Sequence, residues 1–198
     1  MTDLAERWPL AELAEVRDAL LAAYREPSRG YHDTVHLSEV LDRLSELAGA
    51  GVPFDRGATE LAAWFHDAVY DGERDAEERS AVRAEEALAG TPYADEVARL
   101  VRLTETHDPA PEDAAGQALC DADLAILASS RERYEAYVAG VRREYAHLPD
   151  PDFGAGRAAV LRDLAGREQL FHTAYGQAEW EPAARANLAR ELAALATG

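Results

Sequence analysis

The chain has 198 residues, of which 47% are hydrophobic, and its formal net charge is −18, from 38 acidic and 20 basic residues. This length suits one well-packed domain, and the apolar content argues against wholesale disorder. A surface so negative repels phosphate backbones and anionic headgroups, so we expect neither non-specific nucleic-acid binding nor membrane association. The chain has no long apolar run, no signal-peptide pattern and one cysteine. These features favour a cytoplasmic protein.

Helical periodicity runs through nearly the whole chain, and we find no alternating strand of useful length. The first predicted helix has apolar residues at three- and four-residue steps over 10–24. The same spacing predicts a second helix over 37–49 and a third over about 55–70. The third helix therefore carries the run WFHDAVYD near its end.

The next two helices have recognisable boundaries. Asp75 followed by Glu78 predicts a capping box that opens the fourth helix, which continues to Leu88. The fifth helix is expected to start at Thr91 and to stop near Asp108, where a proline follows.

Two further caps and the C-terminal region complete the pattern. Asp113 is placed to cap a sixth helix, and Ser130 opens a seventh. The sequence from Phe153 onward predicts two or three more helices. We therefore predict an all-α fold, a single-domain helical bundle over residues 1–198.

The sixth helix carries an aspartate on its apolar face. Asp123 has leucine, cysteine and isoleucine neighbours at three- and four-residue spacing, whereas Asp121 is expected to face solvent. An unpaired buried carboxylate costs several kcal/mol, so Asp123 must be neutralised, paired or bound to a metal.

Histidines interrupt two other apolar faces. His66 precedes Asp67 in WFHDAVYD, and His32 lies one helical turn before His36 in RGYHDTVH. Each of these residues alone is more often a hydrogen-bonded core residue or a cap. Two imidazoles and two carboxylates together suit one divalent ion and leave positions open for water and substrate. The spacing alone leaves both interpretations open.

The ordered set His36, His66-Asp67 and Asp123 resembles the H…HD…D pattern of the HD superfamily of metal-dependent phosphohydrolases. Further runs are similar to successive blocks of its bacterial subgroup of predicted metal-dependent HD phosphohydrolases: RGYHDTVH, LAAWFHDAVYD, DAEERSA, LTETHD, DADLAIL, VRREY and GRAAVL. The resemblance implies a metal-site core at about 29–162 and C-terminal helices over 163–198. It also implies that these four residues hold one divalent ion, of Mn, Fe, Co, Ni, Zn or Mg.

Two features depart from the family pattern. Ala76 in DAEERSA stands where the subgroup usually has asparagine, which puts one substrate contact in doubt. His107 is the one histidine between the HD pair and Asp123, whereas dinuclear relatives use more. A mononuclear site is therefore favoured, with Glu77 and His107 as the groups for a weak second ion.

The resemblance implies that a metal-activated water hydrolyses a small phosphoester, for which a nucleotide is one candidate. Asp67 is expected to ligate the ion and help orient the water. Glu77 and His107 are the candidate acids for the leaving oxygen.

Candidate substrate-binding residues lie beside the expected ligands in sequence. Arg29 and His32 immediately precede the segment that carries the first ligand, and Arg79 and Arg83 form an i, i+4 pair on the fourth helix. These four residues are predicted to contact a small phosphorylated substrate.

Two other functions remain open. A dinuclear iron HD oxygenase would need further imidazoles, and a non-catalytic metal- or nucleotide-binding module would bind without turnover. A homodimer is also left open, because helical bundles often pair through apolar faces.

Overall fold

The computed structural model describes residues 3–196, and the predicted all-α class is confirmed there. The predicted domain limits at residues 1 and 198 lie outside this range. The described residues form nine α-helices: α1 (Ala14–Tyr24), α2 (Thr34–Gly49), α3 (Arg56–Phe65), α4 (Ala76–Ala87), α5 (Ala94–Leu103), α6 (Ala114–Leu124), α7 (Arg131–Glu144), α8 (Asp150–Gly166) and α9 (Glu181–Leu195). None of these helices combines the length and apolar character needed to cross a bilayer.

Helix α3 is the centre of the bundle. Seven of its ten residues are buried, and α2, α4, α5 and α6 all pack against it. Its small residues, Ala58, Ala62 and Ala63, allow neighbouring helices to approach, while Trp64 and Phe65 fill the core. The two residues that follow α3 are therefore held inside the bundle, where α2 and α6 meet it.

Helix α3 ends short of the predicted limit at Tyr70. The carbonyls of Asp67 and Ala68 accept hydrogen bonds from the guanidinium groups of Arg29 (2.8 Å) and Arg83 (2.9 Å). Both arginines come from other segments of the chain. The helix stops at Phe65 because the Asp67 amide donates to the Tyr24 hydroxyl (3.3 Å) and the Ala63 carbonyl accepts from Nδ1 of His66 (2.7 Å), so the next helical bond is not made.

The capping box predicted for α4 is wrong, although the helix begins where expected. Asp75 adopts a left-handed conformation (φ 59°), and its side chain makes no capping hydrogen bond. A capping side chain normally requires an extended backbone. Glu78 instead binds Arg102 of α5 at 2.6 and 2.8 Å. Helix α5 is shorter than predicted at both ends, spanning Ala94–Leu103.

Both other predicted caps are confirmed. The Asp113 carboxylate accepts a hydrogen bond from the Gly116 amide (2.9 Å), and the Ser130 hydroxyl accepts one from the Arg133 amide (3.3 Å). Asp113 also receives two hydrogen bonds from Arg99, at 2.6 and 3.0 Å. Burial raises the pKa of Asp113, but the hydrogen bonds from Arg99 and the Gly116 amide lower it by more. The pKa of Asp113 therefore lies below its ordinary value.

Replacing Asp113 with asparagine should reduce the acid sensitivity of the fold. A carboxyl group with a lowered pKa stabilises the fold above its unfolded pKa of about 3.9, and this contribution is lost as the pH falls through the folded value. Between about pH 5 and 3, the free energy of unfolding should fall more in the wild type than in Asp113→Asn. The difference should be at most about 1 kcal/mol, since the Asp113–Arg99 pair is partly exposed. Urea unfolding at both pH values measures this, and equal losses would contradict it.

Candidate metal centre

Three of the predicted ligands converge between α2 and the end of α3. His36 lies in the first turn of α2, which Asp33 caps by accepting hydrogen bonds from the amides of Val35 and His36. The Nε2 atoms of His36 and His66 are 3.0 Å apart. The Oδ2 atom of Asp67 lies 3.3 Å from Nε2 of His36 and 3.1 Å from Nε2 of His66.

These donor atoms are spaced as ligands of a single ion. Two atoms that each lie about 2.1 Å from one ion, at right angles, are about 3.0 Å apart. Nδ1 of His66 is 2.7 Å from the Ala63 carbonyl, which accepts its proton, so Nε2 is the ring nitrogen that faces His36. His36, His66 and Asp67 can therefore hold a metal ion.

One atom of this group lacks a partner. Oδ2 of Asp67 is buried and accepts no hydrogen bond, although two imidazole nitrogens lie within 3.3 Å of it. These nitrogens are at ion-pair distance without hydrogen-bond alignment. A buried charged acceptor without a partner is costly. A cation between the three side chains would satisfy it, so the residues present fit a bound metal.

The fourth predicted residue lies at the edge of this group. Oδ1 of Asp123 is 3.2 Å from Nε2 of His36 and 3.6 Å from Nε2 of His66. Its Oδ2 atom is 2.8 Å from Nε2 of His107. Asp123 thus faces the three-residue group with one oxygen and His107 with the other.

The charges of these groups are coupled. Burial lowers the pKa of His36 and His66, but the Asp67 and Asp123 carboxylates raise both values above the ordinary range. Burial raises the pKa of each carboxyl group, yet the surrounding histidines hold both values well below the ordinary range. The pair of carboxylates therefore favours positive charge at the centre.

The prediction that Asp121 faces solvent is wrong. Asp121 is fully buried, and its two oxygens accept hydrogen bonds from the amides of His172 (2.7 Å) and Thr173 (2.8 Å) and from the Thr173 hydroxyl (2.7 Å). The segment between α8 and α9 covers this side of α6. No local pattern around Asp121 indicates this, because its partners lie 51 and 52 residues away.

His107 is held in an uncommon backbone conformation. Its φ is 50°, in the left-handed region that few residues other than glycine adopt. Its carbonyl accepts a hydrogen bond from Arg167 (3.3 Å) and lies 3.2 Å from Nε2 of His172. These contacts, together with Asp123, stabilise the strained loop and direct the imidazole towards the metal centre.

Two cavities adjoin the metal centre and share Tyr31 and Asp123 in their walls. The first, of about 430 Å³, lies beside α2 and is also lined by His36 and Arg133. The second, of about 580 Å³, lies beside α8, and its wall contains His32 and His107 together with Arg157 and Arg167. His32 is the one predicted substrate-binding residue that lines either cavity.

Two of the arginines predicted to bind substrate contact backbone carbonyls instead. Arg29 is buried, and its Nη1 atom donates to the carbonyls of His32 and Asp67, at 2.8 Å each. Arg83 donates to Ala68, as described above, and also to Ala19 (3.3 Å). Both arginines therefore support the backbone that carries the HD pair.

The other predicted residues of α4 also lie away from the cavities. Arg79 makes a paired contact with Asp71, at 2.6 and 2.7 Å, on a partly exposed surface. Glu77 is in the first turn of α4 and lines neither of the two cavities.

Glu144 has a role that the sequence analysis missed. Its Oε1 atom accepts hydrogen bonds from the amides of Gly30, Tyr31 and His32 at 2.7–2.9 Å, and Oε2 lies 2.9 Å from Nδ1 of His32. Burial raises the pKa of Glu144, but His32 and the loop amides hold it below its ordinary value. Glu144 thus fixes the loop before α2 and orients the His32 ring. The run VRREY, which contains it, was the only signal.

Arg157 was also missed. It binds Glu191 of α9 at 2.8 and 3.1 Å, and its guanidinium lies 4.9 Å from the Tyr137 ring centre. Glu191 also accepts the Tyr134 hydroxyl (2.6 Å). The arginine is therefore held firmly in the wall of the second cavity, with its charge paired to Glu191.

No family model, curated protein or solved structure matches this chain. The function of the centre is therefore inferred from its own donor atoms and cavities, together with the resemblance described from the sequence.

Proposed function

We propose that this chain is a metal-dependent phosphohydrolase that acts on a small phosphoester, with a nucleotide as one candidate. The observation that carries the proposal is the unpartnered Oδ2 atom of Asp67, with two histidine nitrogens within 3.3 Å, next to cavities lined by charged groups. The resemblance to HD-superfamily phosphohydrolases supports the same proposal of metal-dependent phosphoester hydrolysis.

His36, His66, Asp67 and Asp123 would hold one divalent ion, of Mn, Fe, Co, Ni, Zn or Mg. When bound, such an ion lowers the pKa of a water from 15.7 towards about 7 and polarises a phosphoryl oxygen. The second oxygen of Asp123 keeps His107 in place at the same time.

His107 is the favoured acid for the leaving oxygen. Its Nε2 atom bonds to Asp123, and its side chain is part of the wall of the second cavity. Glu77 is less suited to this role, because it lies outside both cavities. Because Nε2 bonds to Asp123, Nδ1 of His107 is the atom that would give its proton to the leaving oxygen.

The second cavity is the proposed substrate site. His32 is oriented there by Glu144, so that its Nε2 atom remains available to a substrate. Arg157 and Arg167 are the two arginines of the cavity wall, paired with Glu191 and Asp163, and an anionic phosphoester would bind beside their guanidinium groups. These two arginines take the role that the sequence suggested for Arg29 and Arg83.

The test is phosphate release from a panel of nucleotides and phosphomonoesters with added Mn, Co, Ni, Mg or Zn. The wild type should release phosphate only with metal, and Asp67→Ala should lose this activity. Asp18→Ala is the control, because Asp18 pairs with Arg17 on the surface. No release in any condition, with metal bound, would contradict the proposal and favour the oxygenase or the binding module.

A further inference from the structure

Tyr31 is held rigidly at the entrance to α2. Its amide donates to Glu144 (2.7 Å), and its backbone passes close to α7. A side chain at Gly140 would place a Cβ 2.7 Å from the Gly30 carbonyl and 3.0 Å from the Tyr31 Cβ. Glycine at 140 is therefore required for this approach, and the loop has little freedom to move Tyr31.

The Tyr31 ring packs among aromatic side chains beside the metal centre. Its centre lies 4.7 Å from that of His36, 4.8 Å from that of His32 and 4.6 Å from that of Tyr137. Only 5% of the residue is exposed, and it forms part of the wall of both cavities. Tyr31 thus borders both cavities, as Asp123 does.

The Tyr31 hydroxyl has no hydrogen-bond partner among the described residues. Buried hydroxyl groups are almost always paired, because an unmade hydrogen bond is costly. Other buried tyrosines follow this rule: the hydroxyl of Tyr134 donates to Glu191 (2.6 Å), and that of Tyr24 accepts from the Asp67 amide (3.3 Å). Tyr31 therefore departs from the pattern that Tyr134 and Tyr24 follow.

Two unpartnered oxygens thus lie around the same centre. Oδ2 of Asp67 is an acceptor and fits a cation, whereas the Tyr31 hydroxyl carries a proton and fits an acceptor oxygen. A cation that carries an oxyanion supplies both partners at once. A phosphoryl group is such an oxyanion, and its oxygens are strong acceptors of a neutral donor.

We propose that the Tyr31 hydroxyl donates a hydrogen bond to an oxygen of the phosphoryl group held at the His36–His66–Asp67 centre. This inference rests on the proposed function, because it assigns Tyr31 to the same site as a substrate-contacting residue. The aromatic contacts keep the hydroxyl in place before the ligand arrives, so binding need not order the side chain.

The test compares wild type with Tyr31→Phe, which removes only the hydroxyl oxygen. Calorimetry of the Mn²⁺-loaded proteins with orthophosphate should show about 10- to 100-fold weaker binding in the variant. Mn²⁺ affinity should be equal in the two proteins. The melting temperature of the metal-free variant should be unchanged or higher, since an unpaired buried hydroxyl has been removed.

Tyr175→Phe is the matched control. The Tyr175 hydroxyl donates to Glu46 (2.8 Å) and lies outside both cavities, so its loss should leave orthophosphate affinity unchanged. Equal orthophosphate affinity in wild type and Tyr31→Phe would overturn the inference. A lowered melting temperature in Tyr31→Phe would also overturn it, because the hydroxyl would then have a structural partner.

Turnover separates this inference from the proposed function. Orthophosphate binding that depends on Tyr31, without hydrolysis of any panel substrate, would support the contact and contradict the phosphohydrolase. Hydrolysis that is equally fast in wild type and Tyr31→Phe, with equal orthophosphate affinity, would support the phosphohydrolase and contradict the contact. A wild-type protein that binds Mn²⁺ but no orthophosphate would contradict the contact as well.

Discussion

Replacing Asp121 with alanine should lower the free energy of unfolding by about 3 kcal/mol or more. The change removes the acceptor of three donors: the partly buried amide of His172 and the buried amide and hydroxyl of Thr173. A typical domain has only about 5–15 kcal/mol of stability in total, so the loss is a large fraction of the whole. Urea unfolding of the metal-free proteins measures it.

The same variant should keep its metal site. His36, His66 and Asp67 do not contact Asp121, and α6 retains Asp123, so the folded fraction of Asp121→Ala should bind metal as the wild type does. Asp18→Ala serves as the surface control and should change stability by less than about 0.5 kcal/mol. A loss below about 1 kcal/mol in Asp121→Ala would show that these hydrogen bonds do not stabilise the fold as argued.

Replacing Asp67 with alanine should abolish the stabilisation that metal confers. A ligand that binds only the folded state stabilises it by about 2.7 kcal/mol at a free concentration 100 times its Kd. The wild type should gain about this much in thermal or urea unfolding as metal is added. Asp67→Ala should gain almost nothing, since the variant lacks the unpartnered oxygen and the negative charge that a cation needs.

The metal prediction has two internal checks. Asp18→Ala should show the full metal-dependent gain, which excludes a general effect of removing an acidic group. The loss of metal binding in Asp67→Ala should accompany the loss of phosphate release. An equal metal-dependent gain in wild type and Asp67→Ala would place the ion at another site.

Helix type followed from local sequence, but several helix ends did not. The three- and four-residue spacing of apolar residues predicts helices because the helical repeat puts such residues on one face. The end of α3 instead depends on Tyr24, whose hydroxyl accepts from the Asp67 amide, and the residues that follow are held by Arg29 and Arg83. Such long-range contacts do not change the spacing of apolar residues near the helix end, so the local sequence does not indicate them.

The candidate ligands were predictable for a related reason. His36, His66 and Asp123 are ionisable residues on apolar helical faces, which is an unusual pattern in a core, and their order along the chain resembles a known family pattern. The structure brings His36 and His66 together with Asp67, and it places Asp123 beside them. Whether these four residues together bind one ion stays a prediction.

The sequence by itself determined the all-helical class, two helix caps and the residues whose charge conflicts with an apolar surrounding, because each depends on neighbours within one or two helical turns. Only the tertiary structure decided that Asp121 is buried and hydrogen-bonded by a segment distant in the sequence. It also decided that Arg157 and Arg167 line the second cavity. It also showed the unpartnered hydroxyl of Tyr31. These properties depend on which segments cover a side chain, and residues distant in sequence supply that cover.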